Sequence, residues 1–305
     1  MKKFVWIITL AVAVGSFGCK RQQATGNQAS TGQTVAYSLR GTVISTDPAR
    51  GEVTLDHEAV PGFMEAMTMP YTLKDPGTIG ELHPGDKITA RLQVEKDSDG
   101  VYHHARLDQI VVIAQARPDY KPATQYHVPT KNDLVPDFAL TNQSGKSIHL
   151  KQYRGKALLI TFIYTRCPLG DFCPRMSRNF AEIEETLRGD KALLDHTHLL
   201  SISFDPAYDS PSVLRSYGGA YTGRYTKENF DHWEFAAPPT KDPKDLSAME
   251  QYFNIGVTPG DSKTLNHSLS TVLMAPDGRI FNWYPGNDWK PSDVVADIRV
   301  ATKGM

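Results

Sequence analysis

The pattern of apolar and polar positions changes character part-way along the chain. Across residues 35–113, short runs alternate apolar and polar side chains and are separated by turn-forming residues. Alternation with a period of two is typical of half-buried strands, and several such strands in succession predict a small all-β barrel or sandwich. The predicted strands are TVAYSLRGTVIST, GEVTLDH, MTMPYTL, KITARLQVE and YHHARLDQIVVI.

Residues 132–305 follow a different pattern, in which apolar runs alternate with amphipathic segments. KALLITFIYT and HLLSISFD are predominantly apolar and predict central strands of a sheet that is covered on both faces. Pro174 suits the first position of the helix that follows the first run. Strands alternating with helices, then a hairpin turned at Asp277-Gly278 and a last helix, predict an α/β domain of the thioredoxin type. The Pro-rich stretch 114–131 is the predicted linker between these two domains.

The N-terminus has the pattern of an export signal. Residues 1–19 contain two lysines after the first Met, then an apolar stretch, and end at Cys19. They resemble a bacterial lipoprotein signal, which implies that Cys19 becomes the lipid-modified N-terminus and that the polar segment 20–34 is a flexible linker. The alternative is ordinary secretion with cleavage a few residues earlier. Both alternatives place the mature protein in the cell envelope, and the first tethers it to a membrane, facing the periplasm or the extracellular side.

Charge and cysteine content narrow the function further. The 33 basic and 34 acidic residues give a net charge of -1, which argues against sequence-independent binding to nucleic acid. The chain has three cysteines. If Cys19 carries a lipid, Cys167 and Cys173 are the internal pair, and in an oxidising envelope such a pair is a structural disulfide, a redox couple or a metal site.

The position of the two internal cysteines favours a redox or metal-binding role over a structural disulfide. Cys167 ends a predicted strand, and Cys173 immediately precedes the helix that begins with Pro174. The N-terminus of a helix favours a thiolate, which is both the nucleophilic and the metal-binding form of cysteine. A disulfide that closes so short a loop contributes little stability. The sequence therefore predicts either a redox pair or a metal site at this junction.

The second domain resembles the SCO/SenC family of thioredoxin-fold copper proteins over about residues 131–303. The resemblance rests on VPDFALTNQSGKSIHL, the TRC…CP junction, SISFDPAYDSP and the segment Asn266-His267-Ser268. It implies one copper ion bound by Cys167, Cys173 and His267, and a role in assembly of cytochrome c oxidase. Two thiolates and an imidazole suit Cu(I), and the same set can hold Cu(II). The chain departs from the family in having five residues between the cysteines instead of three.

Two acidic residues that follow the second apolar run are candidates for an outer-shell role. Asp205 and Asp209 lie at the end of a predicted strand, where ligands usually gather in α/β sheets. They could orient His267 or carry charge near the metal. The preferred interpretation is ordinary turn and helix-capping chemistry.

The first domain contains a second group of soft donors. Three of the eight methionines, Met64, Met67 and Met69, fall within six residues, and His57 precedes them. Thioether sulfur binds Cu(I) or Ag(I) without competition from protons. The segment resembles the CusF family of small periplasmic Cu(I)/Ag(I)-binding barrels, which implies an OB-like barrel with His57, Met67 and Met69 as ligands. Met64 occupies the position of the tryptophan that covers the metal in that family.

Together the two resemblances imply a membrane-tethered copper chaperone with one copper site per domain. The barrel would capture Cu(I), and the second domain would deliver it to the CuA-bearing subunit of cytochrome c oxidase. A thiol reductant of the envelope would keep the cysteines reduced. One alternative is a thiol–disulfide oxidoreductase in which Cys167 and Cys173 act on envelope or oxidase cysteines. The other is copper buffering for metal resistance.

Overall fold

The computed structural model describes residues 33–64, 66–96, 102–117, 126–222, 229–239, 243–259 and 264–303. The predicted signal 1–19, with Cys19, and most of the linker 20–34 lie outside these residues, as does the middle of the linker 114–131. Every helix within the described ranges is too short or too polar to cross a lipid bilayer.

Five strands close into a barrel in the order β1-β2-β3-β5-β4. They are β1 (Gln33–Asp47), β2 (Glu52–His57), β3 (Met67–Leu73), β4 (Lys87–Lys96) and β5 (Tyr102–Ala114). The barrel closes because β1 pairs with β2 on one side and with β4 on the other. Alternate residues of β4, such as Ile88 and Leu92, point into the barrel core, as a period of two requires. The prediction of a small closed β domain is confirmed, and its OB-like character stays a prediction.

The second domain is a seven-stranded sheet in the order β14-β13-β8-β9-β10-β6-β7. Its strands are β6 (Ala139–Asn142), β7 (Ser147–His149), β8 (Ala157–Ile163), β9 (Thr197–Ser203), β10 (Trp233–Ala237), β13 (Ser270–Met274) and β14 (Ile280–Pro285). Its helices are α1 (Cys173–Arg188), α2 (Lys191–Asp195), α3 (Pro211–Thr222), α4 (Pro243–Tyr252) and α5 (Pro291–Ala301). Every residue of β8 and β9 is buried, and β8, β9 and β10 run parallel. This confirms the two central strands and the thioredoxin-like arrangement.

Three strands were absent from the sequence prediction. One is β10, and the other two, β11 (Val257–Pro259) and β12 (Leu265–His267), form a separate two-stranded hairpin. Strands of three residues, such as β11 and β12, contain too few positions to show a period. The predicted ligand His267 is the last residue of β12. In addition, α1 begins at Cys173 rather than at Pro174, so the second cysteine belongs to the first turn of the helix.

A buried polar cluster joins the middle of the sheet to its far edge. The carboxylate of Glu234 accepts hydrogen bonds from Tyr153, His198 and Asn142. Burial raises the pKa of Glu234, but these three donors together bring it below its ordinary value. Because the carboxylate of Glu234 has these three donors, the cluster is satisfied and stabilises the sheet.

Candidate metal centres

Three side chains predicted to be ligands converge in the second domain. One donor atom from each of Cys167, Cys173 and His267 lies within 4.8 Å of the others. The three residues come from the loop after β8, the first position of α1 and the end of β12. Both cysteines are free thiols. Sγ of Cys173 is 3.4 Å from Nε2 of His267. Among the described residues this is the only group of three His, Cys, Asp or Glu side chains with such spacing.

The orientation of His267 leaves one ring nitrogen facing the cysteines. Its Nδ1 donates a hydrogen bond of 2.9 Å to the carbonyl oxygen of Ser268. The ring is nearly fully buried and packs against Phe204, with a centroid distance of 4.7 Å, and edge-on against Tyr164 and Phe172. A proton held on Nδ1 leaves the lone pair on Nε2, which is the tautomer that binds metal.

The pKa values of the two thiols are shifted in opposite directions. A hydrogen bond from the Cys173 side chain lowers the pKa of Cys167. Burial raises the pKa of Cys173, whose side chain is fully enclosed. Cys167 is therefore the thiolate of the pair, and it is also the more exposed one. Cys167 is therefore the sulfur that is more accessible to a cation or to the disulfide of another protein.

The five residues between the cysteines form a loop that is tied down at two consecutive carbonyls. Nη2 of Arg178 donates to the carbonyl oxygen of Gly170 at 2.9 Å, and Nδ2 of Asn287 donates to that of Asp171 at 3.0 Å. The N–H of Phe172 closes a turn onto Leu169 at 3.0 Å. These bonds explain how a loop longer than the usual family spacing still brings both sulfurs to the imidazole.

Asp205 and Asp209 support the chain that precedes Cys167. Asp205 accepts two hydrogen bonds from the guanidinium of Arg166, at 3.0 and 2.7 Å. Asp209 accepts from the N–H of Thr165 at 3.0 Å and from the hydroxyl of Ser203 at 2.6 Å. The expectation that these carboxylates could orient His267 is not met, because the contacts of its ring nitrogens are with Ser268 and Cys173. The preferred interpretation, local turn chemistry, agrees with the contacts.

In the barrel, His57 has a buried nitrogen without a partner. It is the last residue of β2 and only 2% exposed. Its Nδ1 donates to the carbonyl oxygen of Glu58 at 2.7 Å, while Nε2 is buried and makes no hydrogen bond. Burial lowers the pKa of His57, which keeps the ring neutral. An unsatisfied buried acceptor costs about 1–3 kcal/mol, and a metal ion at Nε2 would remove that cost.

The methionines of the cluster lie on or beside the strand that pairs with the strand of His57. Met67 is paired directly with His57 in the antiparallel register of β2 and β3, although its side chain lies outside the described part of the structure. Met69 packs against the barrel core. The sulfur of Met64 accepts a hydrogen bond of 3.6 Å from Tyr71, whose ring meets His57 edge-on. The register of β2 and β3 therefore places Met67 at the position directly opposite His57.

Comparison with known proteins identifies the second domain. Residues 127–303, over half of the chain, match the SCO1/SenC family model. The chain belongs to the SCO1/SenC family. Residues 36–105 match the model of the copper binding periplasmic protein CusF. Both matches agree with the resemblances seen in the sequence.

Several individual relatives of this SCO1/SenC chain are known. It is 26% identical over 172 residues to the SCO1 protein homolog of Bacillus subtilis, covering 56% of this chain and 84% of the relative. It is 25% identical over 166 residues to the human mitochondrial SCO1 homolog, covering 53% of this chain and half of the human protein. A solved structure of a SCO1/SenC family lipoprotein from Bacillus anthracis aligns with 58% of this chain and 99% of its own at 24% identity, with a TM-score of 0.49.

Several residues of the SCO1/SenC site escaped the sequence analysis. Phe204 lies within SISFDPAYDSP, and Tyr164, Phe172 and Arg178 lie within five residues of a cysteine, whereas Asn287 is distant in the chain. No spacing rule connects these positions with a role at the site. The carbonyl oxygens of Glu58 and Ser268, which orient the two histidines, are backbone atoms. Since every residue has such an atom, residue type carries no signal for this role.

Proposed function

We propose that the chain is a copper chaperone of the cell envelope that delivers copper to the CuA-bearing subunit of cytochrome c oxidase. Copper is bound in the second domain by Cys167, Cys173 and His267, and Cu(I) is bound in the barrel by His57, with the sulfurs of the methionine cluster. The observation that carries the proposal is the convergence of two thiols and a correctly oriented imidazole within 4.8 Å.

The chemistry of the donors supports Cu(I) as the cargo. Two sulfurs and one imidazole form a soft set that suits Cu(I), and they can also hold Cu(II). The barrel offers a neutral imidazole with a free Nε2 beside thioethers, a set that binds a monovalent soft ion without adding charge. Membership of the SCO1/SenC family and the CusF match of the barrel support copper at both sites.

The cellular context is part of the proposal. The predicted export signal and the periplasmic protein that the barrel matches support a location in the envelope, with Cys19 as the lipid anchor. Because Cu(I) binding needs free thiols, an envelope thiol reductant is a further partner. The oxidase as acceptor follows from the resemblance to the family, and copper buffering for resistance would need no acceptor at all.

Cu(I) stoichiometry tests the two sites. We expect two Cu(I) per chain in the wild type, one in Cys173→Ser, one in His57→Ala and none in the double variant. His149→Ala, which changes a histidine away from both sites, is the matched control and should keep two. X-ray absorption on copper-loaded Cys173→Ser should find thioether sulfur and imidazole nitrogen as the neighbours of the remaining ion. Two bound Cu(I) in the double variant would exclude these ligands.

Copper transfer to a purified apo CuA fragment tests delivery. After a one-electron oxidant is added to the mixture, the fragment incubated with copper-loaded wild type should show the visible absorption of the CuA centre, and the fragment incubated with Cys173→Ser should not. If the wild-type protein holds two Cu(I) and the fragment gains none, buffering replaces delivery.

A thiol–disulfide oxidoreductase is the second candidate, and one observation favours it. Cys167 is a partly exposed thiolate with a buried thiol beside it, which is the arrangement of an attacking and a resolving cysteine. Cys173→Ser should then trap a mixed disulfide through Cys167 with a disulfide-bonded peptide that carries the two CuA cysteines of the oxidase subunit. Catalytic reduction of that peptide at an unchanged rate in saturating Cu(I) would favour this candidate over copper delivery.

A further inference from the structure

The half of β3 that carries the methionines lies against the second domain. On one side, β3 pairs with β2 from Met67 to Thr72. On the other side, β5 pairs with β3 only at Thr72 and Leu73. The edge of β3 near the methionines is therefore not covered by a barrel strand, and the hairpin of β11 and β12 packs there. Since β12 ends at His267, the ligand strands of the two sites are neighbours.

The closest approach is between Thr68 of the barrel and Gly256 of the second domain, and we call these two residues, together with Ser268, which is bonded to Gly256, the seam. A Cβ at Gly256 would lie 2.5 Å from Cβ of Thr68 and 2.6 Å from its carbonyl oxygen, so only glycine allows this approach. Gly256 is bonded in both directions to Ser268, through its N–H to the hydroxyl at 2.9 Å and through its carbonyl at 3.0 Å. The carbonyl of Ser268 in turn holds the ring of His267.

Thr68 connects the seam to the barrel site. It is buried and lies between the two methionines of β3. Its hydroxyl donates to the carboxylate of Asp56 at 3.3 Å, next to His57. In the chain, Thr68 adjoins Met67 and Met69 of the barrel, and Ser268 adjoins His267.

A second contact and a shared cavity lie beside the seam. Nη2 of Arg50, in the turn between β1 and β2, donates to the carbonyl oxygen of Trp283 at 3.3 Å, and its guanidinium lies 4.5 Å from the centre of the Trp283 ring. A cavity of about 320 Å³ has Met69 on its barrel wall and Leu269 and Asn287 on the opposite wall. Asn287 is the residue that holds the cysteine loop.

We propose that Cu(I) passes from the barrel to the cysteine site within one folded chain, across the seam. This inference rests on the proposed function, and it replaces a flexible tether by a fixed contact as the means of bringing the sites together. In the exchange, the bonds from Cu(I) to thioether sulfur are replaced by bonds to the sulfurs of Cys167 and Cys173, and the bond to Nε2 of His57 is replaced by a bond to Nε2 of His267. Copper keeps its oxidation state, and the thiol protons that it displaces pass to solvent. This direction is favoured because a cysteine sulfur that binds Cu(I) as thiolate attracts the cation more strongly than a neutral thioether does.

The experiment starts with the full chain, with Cys167 and Cys173 closed as a disulfide and one Cu(I) bound in the barrel. A water-soluble phosphine then opens the disulfide, and the ultraviolet charge-transfer absorption of Cu(I)–thiolate reports arrival at the second site. We expect a first-order rate that is independent of protein concentration, and little capture of copper by a competing Cu(I) chelator. A full-chain donor lacking both cysteines, mixed with a full-chain acceptor carrying His57→Ala, measures the rate between molecules.

Variants locate the route. Gly256→Ala should slow the transfer about 10-fold or more, because displacement of the reacting groups by about 1 Å has a large effect on rate. Arg50→Ala removes a contact between the domains without crowding them and should also slow the transfer. If Gly256→Ala does not fold, the transfer rate of Arg50→Ala tests whether the seam is the route. Gly218→Ala is the matched control: its Cβ would lie 2.5 Å from Phe235, away from the seam, and the rate should stay that of the wild type.

Two results would overturn the proposal. One is a wild-type rate that rises in proportion to protein concentration, and the other is an unchanged rate in both Arg50→Ala and Gly256→Ala. If both sites bind Cu(I) but exchange only between molecules, the seam loses its role while the proposed function stands. If the oxidised chain takes up no Cu(I) in its barrel, the transfer and the barrel part of the proposed function fail, while the copper site of the second domain is tested separately by the stoichiometry of His57→Ala.

Discussion

The loop between the cysteines offers the sharpest test of how this chain accommodates a five-residue spacing. Asn287→Ala removes the donor to the carbonyl of Asp171, and Arg178→Ala removes the donor to Gly170. Neither side chain is a predicted ligand. Without them the loop gains conformations in which the Cys167 sulfur leaves the imidazole, and copper binding must then restore the ordered conformation.

The size of the effect follows from the two hydrogen bonds. A neutral bond such as that of Asn287, at 3.0 Å, contributes about 1 kcal/mol net, which weakens Cu(I) binding about 5-fold if the loop relaxes fully in the copper-free state. The hydrogen bond from Arg178 involves a charged group, but Arg178 is exposed and solvent screens its charge, so this bond also contributes about 1 kcal/mol net. The double variant should therefore lose about 2 kcal/mol, or roughly 30-fold in affinity.

Competition against a Cu(I) chelator of known affinity measures the Cu(I) affinity of the second site in each variant. All variants carry His57→Ala so that the barrel site does not contribute. Asn282→Ala is the matched control, because it removes a bond of 2.8 Å from the same strand region to Asp297, away from the cysteines. Thermal unfolding separates positioning from stability. If the double variant binds Cu(I) as tightly as the wild type, or if Asn282→Ala weakens binding equally, the loop is not held by these donors and the reasoning is wrong.

Three further predictions concern stability and the barrel. Glu234→Gln should lower the free energy of unfolding by about 2 kcal/mol at pH 7. Because folding lowers the pKa of Glu234, the wild type should be the more stable protein above about pH 4 and should lose this difference as the pH falls through the folded-state pKa. Denaturant unfolding of both proteins across this pH range measures the difference. Asp209→Ala should destabilise the fold by about 2 kcal/mol, since it leaves Thr165 and Ser203 without their acceptor, and equal melting curves would contradict this. Cu(I) should raise the melting temperature of Cys173→Ser through the barrel, and adding His57→Ala to that variant should abolish the rise.

The regular elements could be predicted because local pattern and burial agree. The alternation in residues 35–113 places five strands correctly, since one face of each strand is buried in the barrel. The runs that became β8 and β9 are apolar on both faces because helices cover the sheet. The short strands β11 and β12 could not be predicted, because their pairing depends on the hairpin and on β3 rather than on any periodic signal of their own.

What the amino-acid sequence determined by itself is the chemistry: soft sulfur donors and histidines, in two segments whose patterns define a barrel and an α/β domain. Residue type decides which ion a side chain can bind, and periodicity decides which segments form strands and helices. The tertiary structure alone decided that Cys167, Cys173 and His267 meet, that Ser268 and Glu58 orient the two histidines, and that Gly256 lets β3 approach the hairpin. Cys173 and His267 are far apart in the chain, and so are Thr68 and Gly256, so these contacts are set by how the elements pack and not by a local rule. The carbonyls of Ser268 and Glu58 adjoin their histidines, but they orient the rings only in the backbone conformation that the fold imposes.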